Sequence, residues 1–302
     1  MKNFGYACIN MGFSNRPKSQ RITTNRTMIK RTFQEKGIEY ASELALQNLR
    51  DLRKILEWNL DNDIYFYRLS SDIVPWASEY NLEDMPNFGA IHAACLSAGN
   101  FARQHNMRLT SHPGPFNKLA SPKERVYKLT ETDLTVHADL FDLIGLPRTP
   151  YAKLNIHVGA AYGDKPFALD NFCRNFERLP ESVRSRLTVE NDDKASLYST
   201  QELYEGVYKR IGIPIVFHPG DQSEQEALET ALSTWGDVKP VVHYAESRSL
   251  EHNNPKIKPQ AHSDCVVRPF NDYGYDLDVM IEAKHKELAL LGYREILLES
   301  AA

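Results

Sequence analysis

Short apolar runs alternate with longer amphipathic segments along most of the chain. Eight of the short runs predict β-strands, at 4–10, 64–70, 108–112, 153–158, 187–191, 213–218, 240–244 and 277–283. The runs at 153–158 and 213–218 are rich in β-branched residues, which is typical of parallel strands buried on both faces. This pattern predicts a sheet whose strands are covered by other elements.

Seven longer segments predict helices, because their apolar residues recur at helical spacing. They are 39–59, 88–104, 122–143, 167–178, 200–210, 223–234 and 284–291. The sequence 121–124 (SPKE) predicts a helix start, with Ser121 as the cap. Strands that alternate with helices favour parallel βαβ units, and eight such units close a barrel. We therefore predict an α/β protein with a single (β/α)8 TIM-barrel domain over 1–302, with its longest loops at 11–38 and 245–275.

The composition fits a globular, intracellular protein. Apolar residues make up 42% and charged residues 25% of the 302 residues, which argues against disorder. No run of about 18 apolar residues predicts a membrane span, and the first residues lack the apolar core of a secretory signal. The four cysteines form no CxxC pair, so we expect reduced thiols and neither a zinc ribbon nor a thioredoxin motif.

The net charge of −4 hides a strongly basic segment. Residues 16–36 contain seven basic residues and one acidic residue, a local charge of +6 that leaves −10 on the rest of the chain. The basic residues are Arg16, Lys18, Arg21, Arg26, Lys30, Arg31 and Lys36. Such a segment predicts either an anion-binding surface or a solvated loop.

Potential metal ligands recur at the ends of the predicted strands. The third to the eighth strand each place one histidine or glutamate at or near the carboxyl end: His112, His157, Glu190, His218, His243 and Glu282. In a barrel these ends share one face, where inward side chains converge. Imidazole nitrogen with carboxylate oxygen suits Zn²⁺, Mn²⁺ or Fe²⁺. His262, in the long loop over the same face, is a seventh candidate.

A single histidine in a strand is more often a hydrogen-bonded core residue than a ligand. Six strand ends that draw on two residue types are hard to obtain by chance, so the set favours a metal site. The other five histidines are given no site role: His92, His105, His137, His252 and His285. Seven candidates exceed the four or five ligands of one ion, which predicts two or three divalent ions with a bridging carboxylate.

Clustered divalent ions are suited to phosphodiester hydrolysis. The sequence contains no glycine-rich phosphate loop and no nucleophile elbow, so we discount a nucleotide cofactor and serine-based chemistry. The basic segment follows the first strand and is expected on the metal face, where it would hold a nucleic-acid backbone. Tyr6 and Asn10, at the end of that strand, are candidates to contact a base or sugar. Phe116, after the third strand, is a candidate wedge between bases.

The order and spacing of eight short motifs resemble the UV damage endonucleases (UvsE/UVDE), barrel relatives of endonuclease IV. The motifs are GYACIN at 5–10, FYRLSSD at 66–72, SHPG at 111–114, NIHVG at 155–159, VENDD at 189–193, VHYAES at 242–247, AHSD at 261–264 and MIEAK at 280–284. Each motif is weak alone, and together they cover nearly the whole chain.

The resemblance implies an endonuclease that nicks double-stranded DNA on the 5′ side of cyclobutane dimers and 6-4 photoproducts, and also cuts abasic sites. It implies two to three divalent ions, Mn²⁺ in the first place and Zn²⁺ or Mg²⁺ as alternatives. The implied metal ligands are His112, His157, Glu190, His243, His262 and Glu282, with Glu190 as the bridge. Tyr6 and Asn10 are implied to contact the lesion, with Phe116, Arg16, Lys18 and Arg21 as weaker DNA-contact candidates.

The family bends DNA and flips the damaged dinucleotide out, which costs less for a crosslinked dimer that already stacks poorly. We expect a monomer without membrane attachment, cytoplasmic and nucleoid-associated if the source is prokaryotic.

The chain departs from the family pattern in three places. The family carries Asp-x-x-His after the sixth strand, whereas here Phe217 runs directly into His218 and the segment is shorter; His218 and Asp221 are candidate substitutes. Some members have Gln-Tyr where this chain has Pro115-Phe116. Some have a lysine two residues before the histidine of the seventh strand, where this chain has Val241; Lys239 lies four residues before it.

Two other functions remain open from the sequence. A xylose-isomerase-like sugar isomerase or epimerase uses the same barrel and the same ligand types, but has no need of a +6 segment. A catalytically impaired protein that binds damaged DNA without cutting it is compatible with the short segment after the sixth strand.

Overall fold

Eight parallel strands curl into a barrel. The computed structural model describes residues 2–194, 196–219 and 224–300. The strands are β1 (Phe4–Ala7), β2 (Phe66–Leu69), β3 (Arg108–Ser111), β4 (Leu154–Ile156), β5 (Leu187–Glu190), β6 (Ile215–Val216), β7 (Val241–Tyr244) and β8 (Asp278–Ile281). The sheet order β6-β5-β4-β3-β2-β1-β8-β7 places consecutive strands side by side. The two sheet edges meet at a bridge between Phe217 and Val242. The predicted (β/α)8 barrel is confirmed.

Helices follow the strands and cover the outside of the barrel. They are α1 (Met11–Ser14), α2 (Lys30–Asp61), α3 (Phe88–Gln104), α4 (Glu124–Ile144), α5 (Lys165–Arg178), α6 (Glu181–Arg184), α7 (Thr200–Leu203), α8 (Lys209–Ile211), α9 (Glu224–Leu232), α10 (Arg248–Glu251) and α11 (Lys286–Ser300). A π-helical turn at Tyr204–Tyr208 joins α7 to α8. Within the described ranges, no helix is both long enough and apolar enough to span a bilayer.

Several predicted boundaries were wrong. The loop expected at 11–38 contains α1 and the first part of α2, which bends at Gly37, where φ is 63°. Helix α4 begins at Glu124 after Lys123, and Ser121 does not cap it; the Ser121 hydroxyl accepts instead from the Lys123 amide at 3.2 Å. Helix α11 continues through Gly292 to Ser300, because an isolated glycine lowers helix propensity without ending a packed helix.

The amino end of the barrel is closed by a buried ion pair. Arg108 and Asp278 are the first residues of β3 and β8, and their side chains lie 3.0 Å apart at about 1% exposure. Lys239 lies 3.2 Å from the same aspartate and 2.9 Å from Asp276. Since a buried charge is tolerated only when it is paired, these groups fix the ends of three strands. Lys239 therefore lies at the opposite end of the barrel from the carboxyl face.

Helices α3 and α4 approach closely at Gly99. A Cβ atom on Gly99 would lie 1.7 Å from the Ile144 carbonyl oxygen, whereas one on Gly89, in the same helix, would meet nothing within 4 Å. We expect Gly99→Ala to lower the free energy of unfolding by about 3 kcal/mol. Gly89→Ala should raise it by up to about 1 kcal/mol, because alanine is the better helix former. Urea denaturation measures both, and equal effects would contradict this packing.

Candidate metal centre

The carboxyl ends of the strands surround a cavity of about 500 Å³. Glu190 is the last residue of β5, and His243 lies within β7. The other candidate ligands follow strand ends or lie in the loop above them: His112, His157, His218, Glu282 and His262. All seven predicted side chains reach this one region and belong to three groups of potential ligands, two of which share Glu190.

Glu190 lies at the centre of the cluster. Its Oε2 atom is 3.1 Å from His112 Nε2 and 3.7 Å from His157 Nε2. Its Oε1 atom is 2.9 Å from His243 Nδ1. The Asn155 side-chain amide also donates to this carboxylate. One buried carboxylate therefore faces three imidazoles with both of its oxygens, an arrangement that suits a bridging ligand.

Glu282 forms the second acidic centre. Its Oε1 atom is 3.3 Å from His243 Nδ1, and its Oε2 atom is 3.8 Å from His262 Nε2 and 3.9 Å from His218 Nε2. The Arg68 guanidinium donates to Oε1. Glu190, His243 and Glu282 thus form one group of potential ligands within 4.8 Å of one another.

His218 reaches the cluster although the segment after β6 is short. Its backbone amide donates to Asn191 Oδ1 at 2.8 Å, and the side-chain amide of Asn191 donates to the His218 carbonyl oxygen at 2.9 Å. Its Nδ1 atom is 2.8 Å from Asp193 Oδ1, and its ring lies 6.0 Å from the His262 ring. Asp193, His218 and His262 form a third group of potential ligands. Asp221, the other candidate substitute after β6, lies outside the described residues.

The protonation states of these groups suit metal binding. Burial lowers the pKa of His112 and lowers that of His243 to about 3, so both rings are neutral near pH 7. Burial opposes ionisation of the two glutamates, yet His243 and His157 hold the pKa of Glu190 well below its ordinary value, and Arg68 does the same for Glu282. Neutral imidazoles and ionised carboxylates are the forms that bind divalent ions.

The contact with Asp193 favours a proton on His218, and this proton competes with a metal ion for the ring. Burial opposes protonation of His218, but its hydrogen bond to Asp193 raises its pKa to about 9. Its Nε2 atom is buried, points toward Glu282 and has no hydrogen-bond partner among the residues that the structure describes. A divalent cation would satisfy this nitrogen together with the clustered carboxylates, so the residues present fit a set of metal ions.

Sequence reasoning missed four side chains of this centre. Asp192 lies 3.4 Å from His157 Nδ1, and Asp193 contacts His218; both directly follow Glu190 and Asn191 in the VENDD motif, which was the available signal. Arg68 stands inside another motif, FYRLSSD, with nothing local to link it to Glu282 across 214 residues.

Lys153 is the fourth. It is fully buried inside the barrel, with its Nζ atom 3.0 Å from His243 Nε2. Val241, the position at which some relatives of the resembled family carry a lysine, is buried among apolar residues. Lys153, which directly precedes β4, therefore reaches the histidine of β7. The sequence signal for it was a charged residue at the start of an otherwise apolar predicted strand.

Tyr6 and Asn10 lie beneath the metal face. Both are completely buried, and neither lines the cavity. The Tyr6 hydroxyl donates to Asn59 Oδ1 at 2.7 Å, and the Asn10 side chain caps α1 by accepting from the Phe13 amide at 3.0 Å. Their observed role is to anchor the start of the loop after β1, and contact with a lesion stays a prediction for them.

The weaker DNA-contact candidates are exposed. Phe116 is 56% exposed in the loop after β3, beside a second cavity of about 370 Å³. Arg16, Lys18 and Arg21 are exposed in the loop after β1, on the carboxyl side of the barrel, and none of them lines the metal cavity. Their positions leave contact with DNA outside the cavity as an untested prediction.

The buried lysine gives the metal-free protein a specific pH dependence. Burial lowers the pKa of Lys153 from 10.5 to about 7, so between these values the unfolded chain holds a proton that the folded chain lacks. Lys153 should therefore add up to about 1.4 kcal/mol per pH unit to the slope of folding stability against pH in this window, opposed below about pH 9 by His218, whose pKa is raised to about 9. Lys153→Met should lose the contribution of Lys153, so its slope should be lower than that of the wild type. Urea unfolding in EDTA from pH 7 to 9.5 measures it. Lys128→Met, at an exposed position, is the control, and parallel slopes for wild type and Lys153→Met would contradict the assignment.

Comparison with known proteins agrees with this geometry. The family described as UV-endonuclease UvdE matches residues 2–300. A UV-damage endonuclease of Schizosaccharomyces pombe (strain 972 / ATCC 24843) is 34% identical over an alignment that covers 95% of this chain but 49% of the yeast protein, so the chain spans about half of that relative. A UV DNA damage endonuclease of Bacillus thuringiensis subsp. konkukian (strain 97-27) is 32% identical over 268 residues, covering 83% of this chain and 81% of that protein.

A solved structure shares the whole fold. The crystal structure of SacUVDE superposes with a TM-score of 0.83 at 27% identity, covering 100% of this chain and 99% of the other. The family match extends over almost the entire sequence, and both curated relatives exceed 30% identity. On these grounds the chain belongs to the UV damage endonuclease family.

Proposed function

We propose that this protein is a UV damage endonuclease that hydrolyses one phosphodiester bond of double-stranded DNA on the 5′ side of a UV photoproduct. Cyclobutane pyrimidine dimers and 6-4 photoproducts are the proposed substrates, with abasic sites as a further one. The observation that carries the proposal is the carboxylate of Glu190, which faces three histidines within 3.7 Å at the mouth of the barrel. Membership of the family supplies the substrate class.

We propose two to three divalent ions at this centre, with Mn²⁺ as the resident ion and Zn²⁺ or Mg²⁺ as alternatives. Three groups of potential ligands support the number, since two of them share Glu190 and the third lies beside Glu282. When bound, such ions activate water as a nucleophile and neutralise charge on the phosphoryl oxygens and the leaving oxygen.

The protein's own residues prepare the site for this chemistry. Glu190 remains ionised at 2% exposure, so its full negative charge is available to hold cations in place. Arg68 fixes one oxygen of Glu282 and leaves the other toward His218 and His262. Asp193 holds the His218 ring from the opposite side. The ligands are therefore oriented before substrate arrives, which lowers the reorganisation that catalysis requires.

We propose that DNA lies across the carboxyl face. The +6 segment at 16–36 would neutralise backbone phosphates there, and the exposed ring of Phe116 would enter the base stack beside the lesion. A crosslinked dimer is already poorly stacked, so its extrusion costs less than that of normal bases. This difference in the energy of deformation would provide selectivity for damage.

The two alternatives are less well supported. A sugar isomerase needs the same ligands but not a strongly basic loop, and the family match favours the nuclease. A damage-binding protein without activity was suggested by the short segment after β6. His218 contacts Asp193 and lies near Glu282, so a potential metal ligand is present at that position, which favours an active enzyme.

Glu190→Gln tests the bridging role. The amide keeps the size of the side chain but removes the charge, so we expect nicking of UV-irradiated supercoiled plasmid with Mn²⁺ to fall more than about 100-fold and bound metal to decrease. Affinity for irradiated DNA should stay within a few-fold of wild type, because backbone contacts dominate binding.

Glu205→Gln, at a half-exposed position far from the cavity, is the matched control and should nick normally. Full nicking by Glu190→Gln would refute the assigned role. Wild-type protein that binds irradiated DNA tightly yet never nicks it with Mn²⁺, Zn²⁺ or Mg²⁺ would establish the damage-binding alternative instead.

Phe116→Ala tests the wedge. Loss of an inserted ring should reduce the preference for irradiated over unirradiated duplex about tenfold, since stacking of a base on an aromatic ring is worth ~1–3 kcal/mol. Competition binding in EDTA measures the preference. Phe167→Ala removes another exposed phenylalanine, at the start of α5, and should leave the preference unchanged. An unchanged preference in Phe116→Ala would show that the ring does not enter the duplex.

A further inference from the structure

Lys118 presents a positive charge to the metal cavity. It lies in the loop between β3 and α4, six residues after His112, and lines the cavity with His112, His157 and Glu190. Its Nζ atom donates to the Gly159 carbonyl oxygen at 3.1 Å. Gly159 itself stands two residues after His157, so Lys118 is held on the side of the cluster formed by these two histidines.

The loop around Lys118 is held rigidly. The Lys118 amide donates to the buried Thr130 hydroxyl at 3.1 Å, and its carbonyl accepts from the Ser121 amide at 2.9 Å. The preceding side chain, Asn117, donates to the Gly114 carbonyl at 3.0 Å and to Asp133 at 2.8 Å. The backbone from which the lysine extends is therefore fixed before any ligand arrives.

Gly159 makes the space that the lysine occupies. Its φ angle is +89°, and a Cβ atom there would lie 2.8 Å from Lys118 Nζ and 3.0 Å from Lys118 Cδ. A larger residue would both strain the backbone and push the ammonium group away from the cavity. The two loops after β3 and β4 thus fit together around this side chain.

Within the described part of the chain, no ion pair neutralises the positive charge of Lys118. Besides the histidines, two other basic side chains line the cavity among the residues that the structure describes, Arg68 and Lys194. Arg68 is ion-paired with Glu282, and Lys194 is exposed at the rim. Within the described ranges, the ammonium of Lys118 donates to a carbonyl oxygen and to no carboxylate. It retains further N–H donors and a full positive charge for an anion.

We infer that Lys118 binds a backbone phosphate of the DNA strand that is cut, as a fixed cation beside the metal ligands. The inference rests on the proposed function, because that function brings a phosphodiester into this cavity. An ammonium group binds a phosphate oxygen as a point charge, and the hydrogen bond to Gly159 directs it without neutralising it. Lys118 is thereby a substrate-binding residue in addition to the metal ligands.

Binding measured in EDTA isolates this contact from the metals and from cleavage. The probe is a short duplex with one central cyclobutane dimer, titrated at several NaCl concentrations. Lys118→Met should bind about tenfold more weakly, as loss of one charge-assisted hydrogen bond predicts. The slope of log affinity against log salt should fall by about 0.9, the value for one phosphate contact.

Three variants separate charge from structure. Lys118→Gln keeps a donor for Gly159 without the charge and should lose as much affinity as Lys118→Met, whereas Lys118→Arg should restore the salt slope. Lys123→Met removes an exposed lysine from the end of the same loop and should bind like wild type. Unchanged affinity and slope in Lys118→Met, or full recovery in Lys118→Gln, would overturn the inference.

Neutral methylphosphonates then locate the phosphate. Duplexes that carry one such group at each position around the dimer should reveal one position where wild type loses affinity and Lys118→Met loses nothing further. Additive losses at every position would contradict direct contact. Wild-type protein that shows neither tighter binding to the dimer duplex nor nicking of irradiated plasmid would instead refute the proposed function, so the two failures are distinguishable.

Discussion

Two buried glutamates face the same imidazole nitrogen, and their mutual repulsion is the constraint around which the upper half of the barrel is organised. Glu190 lies 2.9 Å and Glu282 lies 3.3 Å from His243 Nδ1, and both are almost completely buried. Two ionised carboxylates this close are stable only beside positive charge. Arg68 supplies one cation, at Glu282. The remaining negative charge is what would hold the proposed divalent metal ions at this site.

The interior of the barrel is polar at both ends for different reasons. At the amino end, the pair of Arg108 and Asp278 is closed and neutral, and it contributes structure alone. At the carboxyl end the positive and negative charges do not cancel. Acidic groups lie in the centre of the cavity, and Lys118 lies at its wall. Lys153 lies between the two ends, where burial lowers its pKa and so limits the positive charge that it adds beside His243. The acidic centre by itself repels a phosphodiester, and the proposed metal ions would reverse that repulsion.

Much of the candidate ligand set was predictable, because closure of a barrel brings the ends of consecutive strands close together. A histidine or glutamate at the end of each of six consecutive strands must reach one face once the sheet closes, whatever the loops do. His218 illustrates the limit of this reasoning. Its position after β6 indicated the face, but its contacts with Asp193 and Asn191 depend on how two neighbouring loops fold together. Tyr6 shows the opposite case, since this residue of β1 points away from the barrel interior and donates to Asn59 on α2.

The sequence alone determined the barrel, the face that carries the candidate metal ligands and the types of those residues, since these follow from periodicity and from residues within a few positions of a strand end. Only the tertiary structure decided which charges meet. The ion pair of Arg68 with Glu282 and the approach of Lys153 to His243 join residues 214 and 90 positions apart. The hydrogen bond from Lys118 to the Gly159 carbonyl oxygen joins two different loops. Electrostatic energy depends on distances of a few ångströms between groups, and no local pattern along a chain encodes those distances.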